Sequence, residues 1–382
     1  MTSGRGPRIC LIVIFLVLIA VVGSSQVVLE LREGEPPQVL DVFRQPPTPA
    51  NLRRFERSIE NGCSVARVVR PWVQFARFAL FEDAGDKALI GRDGWLFYRP
   101  AVQYLVESAP PSEDVLAAIL RFRDDLLQRG IKLLVVLAPN KVSVYPERLA
   151  ARAEGTVEPV NPATRDVLAK LKDAGVEVVD LFEIYARARS VPVRAYQETP
   201  HGVATDYYLA QDSHWSPEGM RLAAETVACR LLDAGWVTKG SITYEMRPAA
   251  VQRHGDVLRM MRVPQIERLF TPEDIHAVQV VDGDTGEPYQ DDPGSPVLVL
   301  GDSFLRIFER DEPGSGGFIA HLAAHLGFGL TSLVNDGGAS TLVRQQLARK
   351  PEVLNGKKVV VWEFVERDIR FGTEGWQVIP LP

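Results

Sequence analysis

Residues 211–220, QDSHWSPEGM, place Asp212 and His214 one residue apart, directly before a helix start. A carboxylate that accepts from imidazole Nδ1–H sets the tautomer and stabilises the imidazolium, so the other ring nitrogen can take a proton. On an extended loop the Asp-x-His spacing turns both side chains to one side. Such a pair needs a nucleophile supplied from elsewhere in the chain. The stretch VLVLGDSF, residues 297–304, offers Ser303 at the end of an apolar run. Open α/β sheets carry their sites at the carboxyl ends of strands, Gly301 lets the chain turn there, and the serine N–H can help bind an oxyanion. A serine hydroxyl attacks well once a base removes its proton. Each signal alone has a plain alternative: Ser303 and Asp212 as helix caps, His214 as a surface residue, Trp215 as packing. Together they predict Ser303 as nucleophile, His214 as base and Asp212 as orienting acid.

Other residues are candidates for supporting roles. Lys141 and Tyr145, in PNKVSVYPERL, follow a predicted strand end and are expected to border a cleft. Tyr145, Trp95 and Trp215 could stack on sugar rings or pack in the core. Arg306, one turn past Ser303, could meet an anionic sugar or pair with a neighbouring acid. Besides the Ser303 N–H, Asn140 and Asn335 are candidate oxyanion donors. His321 and His325, in HLAAH, have the i, i+4 spacing of a metal pair. Neither a HExxH glutamate nor a third ligand accompanies them, so they read as packed or solvated. No metal and no cofactor is expected.

The elements that must position these residues alternate along the chain. GRDGWLFY (91–98) reads as a turn and strand, SEDVLAAILRFRDDLLQRG as a helix capped by Ser112, and IKLLVVLAP (131–139) as a strand buried on both faces. A capped helix from Asn161, the strand Val176–Asp180, and a helix with Ser216 as cap and Pro217 in its first position follow. The strands Pro296–Ser303 and Lys357–Phe364 come later, with helical patterns between them. Such alternation predicts an α/β fold, a mostly parallel sheet between helices. The segment Ser241–Gly294 breaks the rhythm and reads as an insertion or a small antiparallel addition.

The 382 residues, 46% hydrophobic and 24% charged, suit one large domain or two ordinary ones. A net charge of −6 and a pI near 5.7, with no long basic run, give no reason to expect a nucleic-acid partner, and none is expected. At the N-terminus Arg5 and Arg8 precede the unbroken apolar run Ile9–Gly23, and apolar character resumes to Leu31. This predicts a signal anchor over residues 1–31, with a cleaved signal peptide as the alternative; the charges place that end in the cytoplasm. Residues 32–84 read as a proline-rich stalk and a helical segment, 85–382 as the main domain, with 241–294 the insertion. Cys63 and Cys229 could pair in an oxidising compartment, though two residues establish no framework.

GRDGWLFY, VLAPNKVSVYPERL, DSHW and LGDSF, in this order, resemble the alginate O-acetyltransferase family of AlgJ/AlgX type, with its SGNH hydrolase-like domain; the resemblance covers roughly residues 85–370. It implies a three-layer α/β sandwich that O-acetylates an exopolysaccharide, alginate or similar, in the periplasm. It also implies a partner, a membrane-bound O-acyltransferase that supplies the acetyl group, and attachment to the inner membrane by the N-terminal helix. Carried over residue by residue, Ser303 matches the nucleophile, His214 the base and Asp212 the acid. The glycine and asparagine blocks that give SGNH enzymes further oxyanion donors have no secure counterpart here. Few residues follow the last strand, which is closer to single-domain, membrane-anchored members. The same triad with water as acceptor would make an acetylesterase, and an inert site would make a scaffold of an export complex.

Overall fold

The computed structural model describes residues 5–107, 113–155, 161–190 and 206–382. The chain divides into two compact units, Met1–Asp83 with Arg262–Ile266, and Ala84–Met261 with Glu267–Pro382. In the first unit α1 (Arg5–Arg32) contains a stretch, Ile9–Arg32, long and apolar enough to cross a membrane. The helical segment after the stalk is two helices, α2 (Pro49–Gly62) and α3 (Ser64–Phe81). They part at Cys63, whose extended backbone ends one and begins the other. Thr48 caps α2 by accepting from the Asn51 N–H at 3.3 Å. All three cysteines are free thiols, so Cys63 and Cys229 are not bridged.

In the second unit Asp93 and Gly94, both at positive φ, turn β1 (Ala88–Ile90) back onto β2 (Leu96–Tyr98) as an antiparallel hairpin. Strand and helix then alternate. β3 (Lys132–Ala138), β4 (Glu177–Asp180), β7 (Val297–Gly301), β8 (Thr331–Val334) and β9 (Val359–Val365) make one sheet, ordered β4-β3-β9-β7-β8. Every pair in it is parallel. Such strands are covered on both faces, hence their continuous apolar runs. The two-residue period then sorts their side chains. Leu134, Val136, Val299 and Val361 enter one core, while Leu133, Val135, Leu300 and Trp362 enter the other.

Helices close both faces. α6 (Pro217–Asp233) and α7 (Phe318–Leu326) bury Met220, Val227, Phe318 and Leu322 in the first core. α4 (Glu113–Leu127), α5 (Pro162–Asp173) and α8 (Leu342–Ala348) bury Phe122, Leu171 and Leu347 in the second. The result is the three-layer sandwich. Asn161 caps α5 through the Ala163 N–H at 3.0 Å; Ser112, the expected cap of α4, lies outside the described residues. Within Ser241–Gly294, β5 (Tyr244–Arg253) and β6 (Glu273–Asp282) form an antiparallel ribbon whose Val251, Ile275 and Val280 join the first core.

Candidate active site

β7 ends at Gly301, and the chain turns through Asp302 into the short helical turn Ser303–Arg306. Packing, not backbone angle, requires the glycine. A Cβ at 301 would stand 2.5 Å from Glu363 Oε2 and 2.6 Å from Leu305 Cδ1. The Asp302 carboxyl caps the turn, accepting from the Phe304 N–H at 2.9 Å. Ser303 is thereby held at the carboxyl edge of the sheet, and its N–H makes no hydrogen bond among the described residues.

Several elements clamp the Asp212–His214 loop. Tyr208 and Trp215 pair across it as an antiparallel bridge. Glu273 of β6 accepts from the N–H groups of Ala210 and Gln211, both at 2.7 Å. Asp256 accepts from the Ser213 N–H at 2.6 Å and its hydroxyl at 2.7 Å. Gly255 lies so close that a Cβ would be 2.2 Å from the Gln211 carbonyl oxygen and 2.5 Å from the Asp212 nitrogen. Lys141 Nζ donates to three carbonyls, of Leu96 (2.6 Å), Ala210 (2.7 Å) and Asp212 (2.9 Å). Ser216 caps α6 by accepting from the Gly219 N–H at 3.2 Å, as its sequence position predicts.

These two segments meet. His214 Nε2 is 2.8 Å from Ser303 Oγ, and Nδ1 is 2.6 Å from Asp212 Oδ1. Asp212 is fully buried, and Oδ1 also accepts from the His214 N–H at 3.1 Å. Its other oxygen accepts from the Asp256 N–H at 2.9 Å and from Arg253 Nη2 at 3.3 Å. Burial alone would raise the Asp212 pKa; the charge and hydrogen bond of His214, then Arg253, outweigh it and hold the carboxyl well below the usual range. Burial lowers the His214 pKa, but Asp212 and then Asp256 more than offset this and raise it, with Arg367 opposing. The arrangement is an imidazole held between a carboxylate and a hydroxyl.

Ligand atoms of Asp212, His214 and Asp256 lie within 4.8 Å of one another. They are already committed: Asp212 Oδ1 and His214 Nδ1 to each other, and both Asp256 oxygens to Ser213. This donor set fits proton transfer better than a cation.

Arg367 follows β9, the strand beside β7. Its guanidinium lies over the rings of Tyr98 (5.2 Å) and Phe304 (5.8 Å) and makes no hydrogen bond among the described residues. Buried Asp302, Glu363 and Asp368 each leave one carboxyl oxygen unpartnered. Burial raises all three pKa values, that of Asp368 to about 7, while Arg367 opposes the rise in each.

A family model described as SGNH hydrolase-like domain, acetyltransferase AlgX, matches residues 88–366. The chain belongs to that family. Curated relatives are named probable alginate O-acetylase AlgJ. The one from Pseudomonas aeruginosa is 30% identical over 158 residues, 40% of this chain and 34% of the relative, so the match spans about a third of that protein's length. The one from Pseudomonas fluorescens is 24% identical over 303 residues, 78% of this chain and 72% of the relative. Among solved structures, the O-acetyltransferase domain of Pseudomonas putida AlgJ superposes with a TM-score of 0.56 at 22% identity, over 74% of this chain and 92% of that one. Pseudomonas aeruginosa AlgX gives 0.52 at 19%, over 73% and 62%. These likenesses agree with the sandwich described above.

Within this family fold, several residues considered as substrate contacts are packed or paired, which for the aromatics and Arg306 is the alternative their sequence positions left open. Lys141 is buried, and its ammonium is spent on three carbonyls beneath the Asp212–His214 loop; it positions the loop and does not border a cleft. Tyr145 is buried against Trp95, ring centroids 4.9 Å apart, and its hydroxyl accepts from the Tyr207 N–H at 2.7 Å. Trp95 is buried with it. Trp215 is fully buried, stacked on Phe318, and its Nε1–H donates to the Phe304 carbonyl at 3.1 Å, tying the histidine loop to the serine turn. Arg306 pairs with Asp336 at 3.0 Å and with Asp311, the acid-pairing alternative. Asn140 lies two residues past the end of β3, a strand separated from β7 by β9; its amide is buried with both polar atoms unpartnered among the described residues. Asn335 follows β8, and its N–H donates to the Gly301 carbonyl at 3.0 Å. His321 is a packed residue, its Nε2 3.2 Å from the Val278 carbonyl, and burial pushes its pKa down to about 3.

Sequence reasoning did not find Arg253, Asp256, Glu273 or Arg367. Arg253 lies two residues before Gly255 and Asp256 directly after it in QRHGD, and charged residues near a glycine were the available signal.

Proposed function

We propose that this chain is an O-acetyltransferase that acetylates hydroxyls of alginate or a similar exopolysaccharide through Ser303, His214 and Asp212. One observation carries the reading: in a member of an acetyltransferase family, His214 bridges Ser303 Oγ at 2.8 Å and Asp212 Oδ1 at 2.6 Å. His214 Nε2 takes the Ser303 proton as Oγ bonds to the acetyl carbonyl carbon of a donor. The tetrahedral intermediate collapses, the donor's leaving group departs with the proton from His214, and an acetyl-enzyme remains. A sugar hydroxyl then attacks that ester, giving its proton to His214, and Ser303 leaves with the proton restored. The Ser303 N–H, without a hydrogen bond among the described residues, supplies one oxyanion contact, and the Asn140 amide, also without a partner among them, is the candidate for a second. Arg367 lies over Phe304, and its guanidinium makes no hydrogen bond among the described residues although it faces the buried acids Asp302, Glu363 and Asp368; a guanidinium there suits the carboxylate of a uronic acid acceptor.

In this reading residues 1–31 are a retained anchor in the inner membrane, residues 32–84 join it to the domain 85–382, and the domain works in the periplasm. A membrane-bound O-acyltransferase delivers the acetyl group. The test incubates the full chain in detergent with a chromogenic acetyl ester and deacetylated polymannuronate oligomers, beside Ser303→Ala. Acetylated oligomers that require Ser303 are expected. Free acetate alone, indifferent to acceptor, would make the protein an esterase; acetylation undiminished in the variant would make the site inert.

A further inference from the structure

Unit one carries an apolar surface apart from α1. α3 exposes Val68 (68%), Trp72 (60%), Leu80 (73%) and Phe81 (75%), with Val69 and Val73 exposed beside them. Val68, Trp72, Ala76 and Leu80 follow at i, i+4 intervals, so most of this surface is one stripe along the helix. Half-buried Phe75 and Phe78 lie on another side. The 18 residues include Arg67, Arg70 and Arg77 and no acid, and Arg77 pairs with Asp83 just past the helix. Isolated exposed apolar residues need no explanation, but a continuous stripe marks a contact surface.

Two observations identify the occupant. The first is charge. Basic side chains with no acid on the helix itself suit anionic lipid headgroups. An apolar face that carries a tryptophan, with arginines on the remaining side, is the composition of a helix lying in a membrane interface. The second is position. The Ser64 N–H, at the start of α3, donates to Gln26 Oε1 at 2.7 Å, and Gln26 Nε2 donates to the Gly62 carbonyl at 3.3 Å. Gln26 stands 17 residues after Ile9, where the apolar stretch of α1 begins. At 1.5 Å per residue that is roughly 26 Å along a hydrocarbon core of about 30 Å. Hydrogen bonds therefore hold the start of α3 near the outer headgroup boundary of the bilayer that α1 would cross.

We infer that α3 lies in the interfacial layer of an anionic phospholipid bilayer, a second membrane contact beside α1. The inference rests on α1 being a retained anchor. The full chain is reconstituted into phosphatidylcholine vesicles with and without phosphatidylglycerol, and Trp72 fluorescence is read as the difference from Trp72→Phe. A doxyl group near the headgroup of added lipid is expected to quench most of the Trp72 signal, and phosphatidylglycerol to strengthen the quenching. Arg67→Gln with Arg70→Gln should remove that dependence on phosphatidylglycerol. An unquenched Trp72 signal from protein that resists carbonate extraction overturns the inference while leaving the anchor standing. A Trp72 signal that changes with protein concentration and not with the quencher also overturns it, because a second copy then covers α3. Release of the chain by carbonate overturns the anchor reading separately, since quenching is measured before the wash.

Discussion

Asp212→Asn is the most informative single change, because the environment of the carboxyl fixes what an amide can do there. Oδ1 accepts from His214 Nδ1 and the His214 N–H, and Oδ2 accepts from the Asp256 N–H and Arg253. An asparagine with its NH₂ toward Asp256 and Arg253 faces two donors. Turned the other way, the NH₂ opposes only the His214 N–H, but it then donates to Nδ1 and forces the proton onto Nε2. That tautomer cannot take the Ser303 proton. The productive orientation opposes one more buried donor, a cost of about 1–3 kcal/mol. It is therefore populated at roughly 1–15%, slowing the reaction about 10- to 100-fold. Losing the charge-assisted bond to the imidazolium costs about 1.5–3 kcal/mol more, another 10- to 100-fold. The expected fall in kcat is about 10²–10⁴-fold, with unchanged circular dichroism, measured on a chromogenic acetyl ester. A fall of less than about tenfold would refute the reasoning. Asp256, 3.5 Å from Nδ1, would then be the orienting acid.

Further changes probe the surroundings of the triad. Asp256 raises and Arg367 lowers the His214 pKa, so Asp256→Asn should move the acid limb of kcat/KM to lower pH and Arg367→Gln to higher pH; shifts in the same direction would contradict this electrostatic account. Gly255→Ala should push the Asp212 loop off its position and lower kcat about 10²-fold, read by steady-state kinetics, since an ångström of misplacement costs that much. Lys141→Met should lower the thermal unfolding midpoint and kcat without raising the acceptor KM, because three buried carbonyls lose their donor; a raised KM in a protein of unchanged stability would return Lys141 to the cleft.

What was legible in the sequence had a local cause. Strands buried on both faces show as apolar runs, and Ser216–Pro217 announces α6 through cap chemistry within four residues. The Asp212–His214 contact is readable because carboxylate and imidazole are near neighbours in sequence, and the place of Ser303 because β7 runs straight into it. β8 was not singled out: as a four-residue edge strand beginning with half-buried Thr331 and Ser332, it has little apolar pattern to read. The loop's supports were hidden for a different reason. Lys141 lies 71 positions from Asp212, and Asp256 and Glu273 sit in the segment that broke the strand–helix rhythm. A lysine after a strand end looks solvent-facing until tertiary structure surrounds its ammonium with carbonyls. Tyr145 and Trp215 met the same fate, because an aromatic near a site looks alike in sequence whether it stacks on sugar or on Phe318.

The central claim is an acetyl group carried on Ser303 and handed to a sugar. It is tested most directly by mixing the full chain with a chromogenic acetyl ester, quenching in acid and mapping the acetyl group by mass spectrometry, before and after a chase with polymannuronate oligomers. The account predicts acetylation on the peptide containing Ser303, absent in Ser303→Ala, that disappears in the chase as acetylated oligomers form. An acetyl group on another residue, or one on Ser303 that leaves only as acetate whatever the acceptor, would contradict it.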